Sequence, residues 1–166
     1  MTEISAIPLI ESLSSDLASL FKDENNPVII GIDTGGYWVA KALHHSLKPN
    51  TKLGRLNISF YRDDFSKAGL HPTVNPSDIS ENIDEKTIIL VDDVLQTGRT
   101  IRAAMNELFD YGRPSKIILA VLIERGGREL PIQADFCAIN MNLNKNEHVK
   151  LLGPEPINYH VVNNEL

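Results

Sequence analysis

An α/β domain with a mostly parallel central sheet flanked by helices is the fold class predicted by this sequence of 166 residues. Three observations carry that expectation. Apolar runs of strand length alternate with stretches whose apolar residues recur at helical spacing. Three such strands end at an acid, Asp33, Asp92 or Glu124, followed by a glycine-bearing loop. One of them, Ile88-Ile89-Leu90-Val91-Asp92-Asp93-Val94-Leu95-Gln96-Thr97-Gly98-Arg99-Thr100, reads as strand, loop and helix start. If the strands are parallel, the three loops converge on one crevice outside their carboxyl ends.

In chain order, Leu9, Ile10, Leu13, Leu17, Leu20 and Phe21 make one apolar helical face, with Ser14, Ser15 and Asp16 opposite. Asn25-Asn26-Pro27 breaks that pattern, and Val28-Ile29-Ile30-Gly31-Ile32 predicts a short buried strand. Helical spacing returns with Val39, Ala40, Leu43 and Leu47, before Pro49. Leu56, Ile58 and Phe60 alternate with Asn57, Ser59 and Tyr61, as in a strand with one wetter face. Residues 62–79 contain Gly69, Pro72 and Pro76 and show no period. A loop of that length in a compact domain is a functional lid or a disordered segment. After the 97–100 turn, Ile101, Ala104, Met105 and Leu108 predict a helix, with Gly112 at its C′ position and Pro114 as a stop. Residues 117–123 are continuously apolar, which predicts a central strand covered on both faces. Residues 134–139 predict another strand, and Val149, Leu151 and Leu152 a last one. No repeat or linker divides the chain, so one domain over residues 1–166 is expected.

Composition excludes several classes. Hydrophobic content of 42% and charged content of 23% are ordinary for a globular chain. No apolar run approaches the ~20 residues of a transmembrane helix, and Met1-Thr2-Glu3-Ile4 lacks the start of a signal peptide. The single cysteine, Cys137, allows no intrachain disulfide, so a reducing cytoplasm is the expected setting. No Cys/His spacing matches a structural zinc site. A net charge of −6 argues against non-specific nucleic-acid binding by the whole surface, while leaving room for a local basic patch.

The chemistry is concentrated in residues 91–100. Adjacent carboxylates can accept hydrogen bonds from vicinal hydroxyls, and a Thr-Gly-Arg-Thr turn opening a helix offers N–H groups to a phosphate. The segment therefore suits a phosphorylated sugar. An Asp-Asp pair in isolation would equally serve as a solvated strand end or a helix cap; its place before that turn favours the ligand site. Thr34-Gly35-Gly36 alone is an ordinary glycine turn. Arg62-Asp63-Asp64 also reads as a surface ion cluster. Arg125 and Arg128 fit contact with RNA, contact with a neighbouring subunit, or a plain solvated loop. His44 and His45 have no acid at triad spacing and read as helix-surface residues. Phe136 suits either base stacking or the core, and Cys137 a small buried position rather than a nucleophile.

Residues Val91-Asp92-Asp93-Val94-Leu95-Gln96-Thr97-Gly98-Arg99-Thr100 resemble the signature of type I phosphoribosyltransferases for 5-phosphoribosyl-1-pyrophosphate (PRPP). Phe60-Tyr61-Arg62-Asp63-Asp64, Tyr111-Gly112-Arg113-Pro114, Leu119-Ala120-Val121-Leu122 and Arg125-Gly126-Gly127-Arg128-Glu129-Leu130-Pro131-Ile132 resemble, more narrowly, the PyrR family. These are pyrimidine-operon attenuation proteins with uracil phosphoribosyltransferase activity. The resemblance spans residues 29–139.

It implies the type I phosphoribosyltransferase fold, with a small hood and a flexible lid at about residues 62–79. Asp92 and Asp93 would contact the ribose hydroxyls, and Arg62 of the lid would join them as a catalytic residue. Gln96, Thr97, Gly98, Arg99 and Thr100 would cradle the 5-phosphate. Asp33, Thr34, Gly35 and Gly36 correspond to the pyrophosphate loop. The base would sit under the hood near residues 133–137, with Phe136 and Cys137 beside it. No protein ligand set for a metal is implied; Mg²⁺ would arrive bound mainly through PRPP. The implied reaction turns uracil and PRPP into UMP and pyrophosphate, with a role in regulating pyrimidine nucleotide synthesis. The alternative is a catalytically weak UMP/UTP sensor that binds pyrimidine-operon mRNA or a protein partner. A homo-dimer or higher homo-oligomer is implied in either case. Three positions depart from the family pattern. Asp33-Thr34-Gly35-Gly36 replaces the common Lys-Thr-Arg-Gly, so charge compensation falls to Mg²⁺, backbone N–H groups or a lid residue such as Arg62. Gln96 stands where many members carry an aromatic, and Gln133 where many carry an Arg.

Overall fold

The computed structural model describes residues 2–22, 26–58 and 76–164. In chain order the elements are β1 (Ile4–Ser5), α1 (Ile7–Leu17), a 3₁₀ turn (Ala18–Phe21), β2 (Val28–Ile32), α2 (Gly35–Leu47) and β3 (Gly54–Leu56). They continue with β4 (Thr87–Leu95), α3 (Arg99–Leu108), β5 (Lys116–Arg125), β6 (Phe136–Met141), β7 (Glu147–Leu152) and β8 (Asn158–Asn163). Five strands form a parallel sheet in the order β3-β2-β4-β5-β6. Three form an antiparallel sheet in the order β1-β8-β7.

The unbroken apolar runs of β2, β4 and β5 follow from burial on both faces. Successive side chains point to opposite sides of a sheet, and each side holds its own cluster. Ile29, Ile89, Val91 and Leu122 meet α1 and α2 through Leu13, Leu17, Val39 and Leu43. Ile30, Ile88, Leu90 and Val121 meet α3 through Ile101, Ala104 and Leu108. Each such aliphatic side chain contributes roughly 1.5–3 kcal/mol on burial, so the sheet is a stiff base for the loops at its carboxyl edge. The antiparallel sheet is tied on separately. Ala6 N donates to Ile157 O at 3.0 Å, and Gly153 lies so close to the Trp38 indole of α2 that a Cβ there would collide with it.

Three sequence expectations change, and one falls outside the described residues. The strand expected over residues 56–61 begins earlier, as β3 (Gly54–Leu56), because its ladder with β2 pairs Gly54 with Ile30 and Leu56 with Ile32. Phe60, Tyr61, Arg62 and most of the expected 62–79 lid lie outside the described residues. The end of that stretch is anchored: Asp78 bridges Arg55, and Ser77 Oγ accepts from Asn57 N at 2.8 Å and donates to Glu107 at 2.9 Å. The acids Asp92 and Asp93 do not end β4 but lie within it, because β5 carries the ladder on to the pairs Val94–Ile123 and Leu95–Glu124. Gly112 is not the C′ residue of α3, which ends at Leu108. It is needed for close approach instead, since a Cβ there would lie 2.8 Å from both Asp84 Oδ1 and Ile83 Cγ1.

Candidate functional site

The carboxyl edge of β4 and β5 opens into a cavity of about 310 Å³. Asp92 and Asp93 form its floor, and Gln96, Thr97, Gly98 and Thr100 form one wall. Arg125, His148 and Val149 close the other side.

Asp92 is almost fully buried, and its Oδ1 accepts from Asp93 N at 2.9 Å. Asp93 Oδ1 accepts from Val94 N at 2.9 Å. The carboxylates are thus oriented by the backbone of their own strand. The 33–36 loop presses against them. A Cβ at Gly35 would collide with the Asp93 carboxylate, and one at Gly36 would lie 2.7 Å from Val91 O and 2.9 Å from Asp92 Cα. Two glycines in succession are therefore a packing requirement of this floor. The Asp33–Thr34 peptide is cis. Thr34 is the N-cap of α2 and makes no side-chain capping bond, which leaves the first N–H groups of that helix to other acceptors.

At the 97–100 turn, Gly98 has φ +92° and is the N-cap of α3, again without a side-chain cap. L side chains pay for that backbone region, and glycine does not. Thr97 Oγ1 accepts from Arg99 N at 3.2 Å, and Thr97 O accepts from Glu129 N at 3.0 Å and Leu130 N at 3.1 Å. The turn is therefore braced by the chain that follows β5. Arg99 itself leaves the cavity: its Nε bonds Glu129 Oε2 at 2.9 Å, with both side chains about half exposed.

For Arg125 the sequence allows contact with RNA, contact with a neighbouring subunit, or a plain solvated loop. Arg125 is the last residue of β5 and only 6% exposed. Its Nη1 lies 3.1 Å from His148 Nδ1, and its Nη2 donates to Asn144 O at 3.4 Å. Its buried Nε has no hydrogen-bond partner among the described residues. A guanidinium only donates, so His148 Nδ1 is the acceptor in this contact. A buried guanidinium is costly unless its donors are used.

The structure thus brings together Asp92, Asp93, Gln96, Thr97, Gly98 and Thr100, with Gly35 and Gly36 packed against the acids. It does not bring Phe136 and Cys137 to the cavity. Phe136 packs on the α1/α2 side of the sheet and Cys137 on the α3 side. Cys137 Sγ contacts Ile139 O at 3.1 Å, and burial pushes its thiol pKa above the ordinary value. Gln133 is exposed. Arg62 lies outside the described residues. His148 and Val149 were missed as site residues because nothing local marks them; they reach the cavity only through the antiparallel sheet.

Comparison with known proteins agrees with this geometry. The phosphoribosyl transferase domain family matches residues 1–152. The bifunctional protein PyrR of Nitrosococcus oceani is 53% identical over 142 residues, covering 84% of this chain and 80% of that protein. The PyrR protein of Pseudomonas aeruginosa is 48% identical over 151 residues, covering 90% and 89%. Among solved structures, a hypoxanthine-guanine phosphoribosyltransferase from Bacillus anthracis aligns with TM-score 0.69 at 21% identity, covering 90% of this chain and 86% of that one. A purine phosphoribosyltransferase from Pyrococcus horikoshii aligns with TM-score 0.61 at 24% identity, covering 82% of each. At these identities the solved structures speak for the fold alone. The parallel sheet with acids at its carboxyl edge, the glycine-capped helix beside them and the relatives at about half identity agree: the chain belongs to the phosphoribosyltransferase family and, within it, to the PyrR proteins.

Proposed function

We propose that this protein is a uracil phosphoribosyltransferase that forms UMP and pyrophosphate from uracil and PRPP and serves the regulation of pyrimidine nucleotide synthesis. The observation that carries the reading is the cavity itself. It joins two oriented carboxylates, a helix start at a positive-φ glycine and a buried guanidinium in a volume of about 310 Å³, within the range of small-ligand sites.

In this reading the 5-phosphate sits on the 96–100 turn, held by backbone N–H groups and the dipole of α3. Gln96 is acceptable there because the turn binds through its main chain. Asp92 and Asp93 take the ribose hydroxyls. They also place negative charge near the anomeric carbon, which becomes positive as its bond to pyrophosphate breaks. The glycosidic bond forms to uracil N1 as the bond to pyrophosphate breaks, the N1 proton passing to the departing pyrophosphate or to solvent, and no protein nucleophile takes part. The pyrophosphate leaves across the uncapped N-terminus of α2 at residues 34–36. Among the described residues no three His, Cys, Asp or Glu side chains are grouped to hold a metal. Mg²⁺ would be carried on the diphosphate, with Asp93 the carboxylate at hand, and would neutralise the leaving group. The base side is read as Arg125 and His148, which line the cavity, whereas Phe136 and Cys137 do not. Arg62 would act from the lid, whose closure would exclude water. The cytoplasm is the proposed setting and a homo-oligomer the proposed assembly.

A second reading keeps the site as a UMP/UTP sensor with little turnover, acting on pyrimidine-operon mRNA or a protein partner. Asp33 favours it, as an acid in the loop where pyrophosphate departs. One assay separates the two: UMP formation from uracil and PRPP with Mg²⁺ and with a chelator, followed by UMP and leader-RNA titration of the same preparation. Mg²⁺-dependent turnover is expected. Tight UMP binding without turnover would replace the enzyme by the sensor.

A further inference from the structure

The 33–36 loop has an acid where its proposed ligand is a polyanion, and the structure sets a cation against that acid. Arg55, in edge strand β3, directs its Nε to Asp33 Oδ1 at 3.4 Å, while its guanidinium lies 3.9 Å from the centre of the Tyr37 ring. The Asp33 side chain is 9% exposed and the Arg55 side chain 31%. Both facing atoms are buried, and neither makes a hydrogen bond among the described residues. At 3.4 Å the contact is an ion pair beyond ordinary hydrogen-bond length. Arg55 is held firmly enough to be aimed. It pairs with Gly31 on one side of β3 and, through reciprocal 2.8 Å bonds, with Asp78 on the other. Stacking on Tyr37, in the first turns of α2, fixes the guanidinium plane.

A buried carboxylate left alone at this loop would oppose any diphosphate arriving at the α2 N-terminus. Arg55 cancels it. We infer that Arg55 is a positioning residue of the pyrophosphate subsite, holding Asp33 neutralised from β3 so that the loop does not repel a diphosphate. The site then needs no cation in the 33–36 loop to release pyrophosphate. This inference rests on the reading of residues 33–36 as the pyrophosphate loop.

The test compares Arg55→Met and the double variant Asp33→Asn/Arg55→Met with the unmodified protein. The readouts are KM for PRPP, inhibition by inorganic pyrophosphate, kcat and the Kd of UMP. UMP has no pyrophosphate and reports whether the rest of the site is intact. Arg55→Met should weaken PRPP and pyrophosphate by about tenfold or more, the loss expected for one charged contact, with UMP affinity unchanged. Removing the acid as well should recover much of that loss. Unchanged KM for PRPP with normal UMP binding would overturn the role of Arg55 and leave the phosphoribosyltransferase reading standing. Equal weakening of UMP and PRPP would also overturn it, in favour of a purely structural ion pair. An unmodified protein that neither consumes PRPP nor binds UMP would refute the underlying reading, and this inference with it.

Discussion

Asp93 keeps one oxygen on Val94 N, and its carboxylate lies against Gly35. Changing it to Asn preserves the shape and the acceptor for Val94 N while removing the charge. Asp93→Asn should therefore fold normally, with an unaltered circular dichroism spectrum, and lose roughly 10²–10³ in kcat, the scale of a removed electrostatic stabiliser. Cys137 makes the opposite prediction. Burial raises its thiol pKa, so less thiolate is present at any given pH, and the thiolate is the species that reacts. Alkylation by iodoacetamide should run slower than that of free cysteine near pH 8 and inflect at higher pH; a rate at or above free cysteine near neutrality would contradict the placement. Residue identity alone was enough to single out Asp92, Asp93 and the 97–100 turn, because acid pairs and glycine turns announce themselves locally. Arg125 did not, since glycines after it gave it the look of loop, whereas it closes β5 and is buried.

At the scale of elements, the turn into α3 depends on one backbone conformation. Gly98 sits at φ +92°, and a Cβ there would lie 3.3 Å from the Cβ atoms of Leu130 and Ile132. Gly98→Ala should cost on the order of 1–2 kcal/mol from the left-handed backbone alone, read as a lowered midpoint in thermal unfolding. It should also raise KM for PRPP, because the turn presents its N–H groups through that geometry. Wild-type stability and KM would show that the turn is not held this way. Apolar period located β2, α2, α3 and β5 well, because each is buried by neighbours whose own pattern is regular. It failed where pairing outruns hydrophobicity. The ladder to β5 extends β4 through two acids, and β1 and β8, short or polar, exist through their antiparallel partners.

Across the whole molecule, the parallel sheet brings the ends of β2, β4 and β5 to one edge, as three acid-and-glycine strand ends had suggested. The antiparallel sheet adds His148 and Val149 from β7 to that edge, and Arg125 meets His148 across a gap of 23 residues. Such a long-range meeting leaves no trace in local spacing, so nothing in the sequence marks His148 or Val149. The central claim is that one cavity orders phosphate, ribose and base from α3 to β7. A crystal structure of the protein with UMP tests it most directly. The account predicts the 5-phosphate on the N–H groups of residues 96–100, the ribose hydroxyls on Asp92 and Asp93, and the uracil ring beside Arg125 and His148. Nucleotide bound elsewhere, or with its base against Phe136 and Cys137, would contradict it.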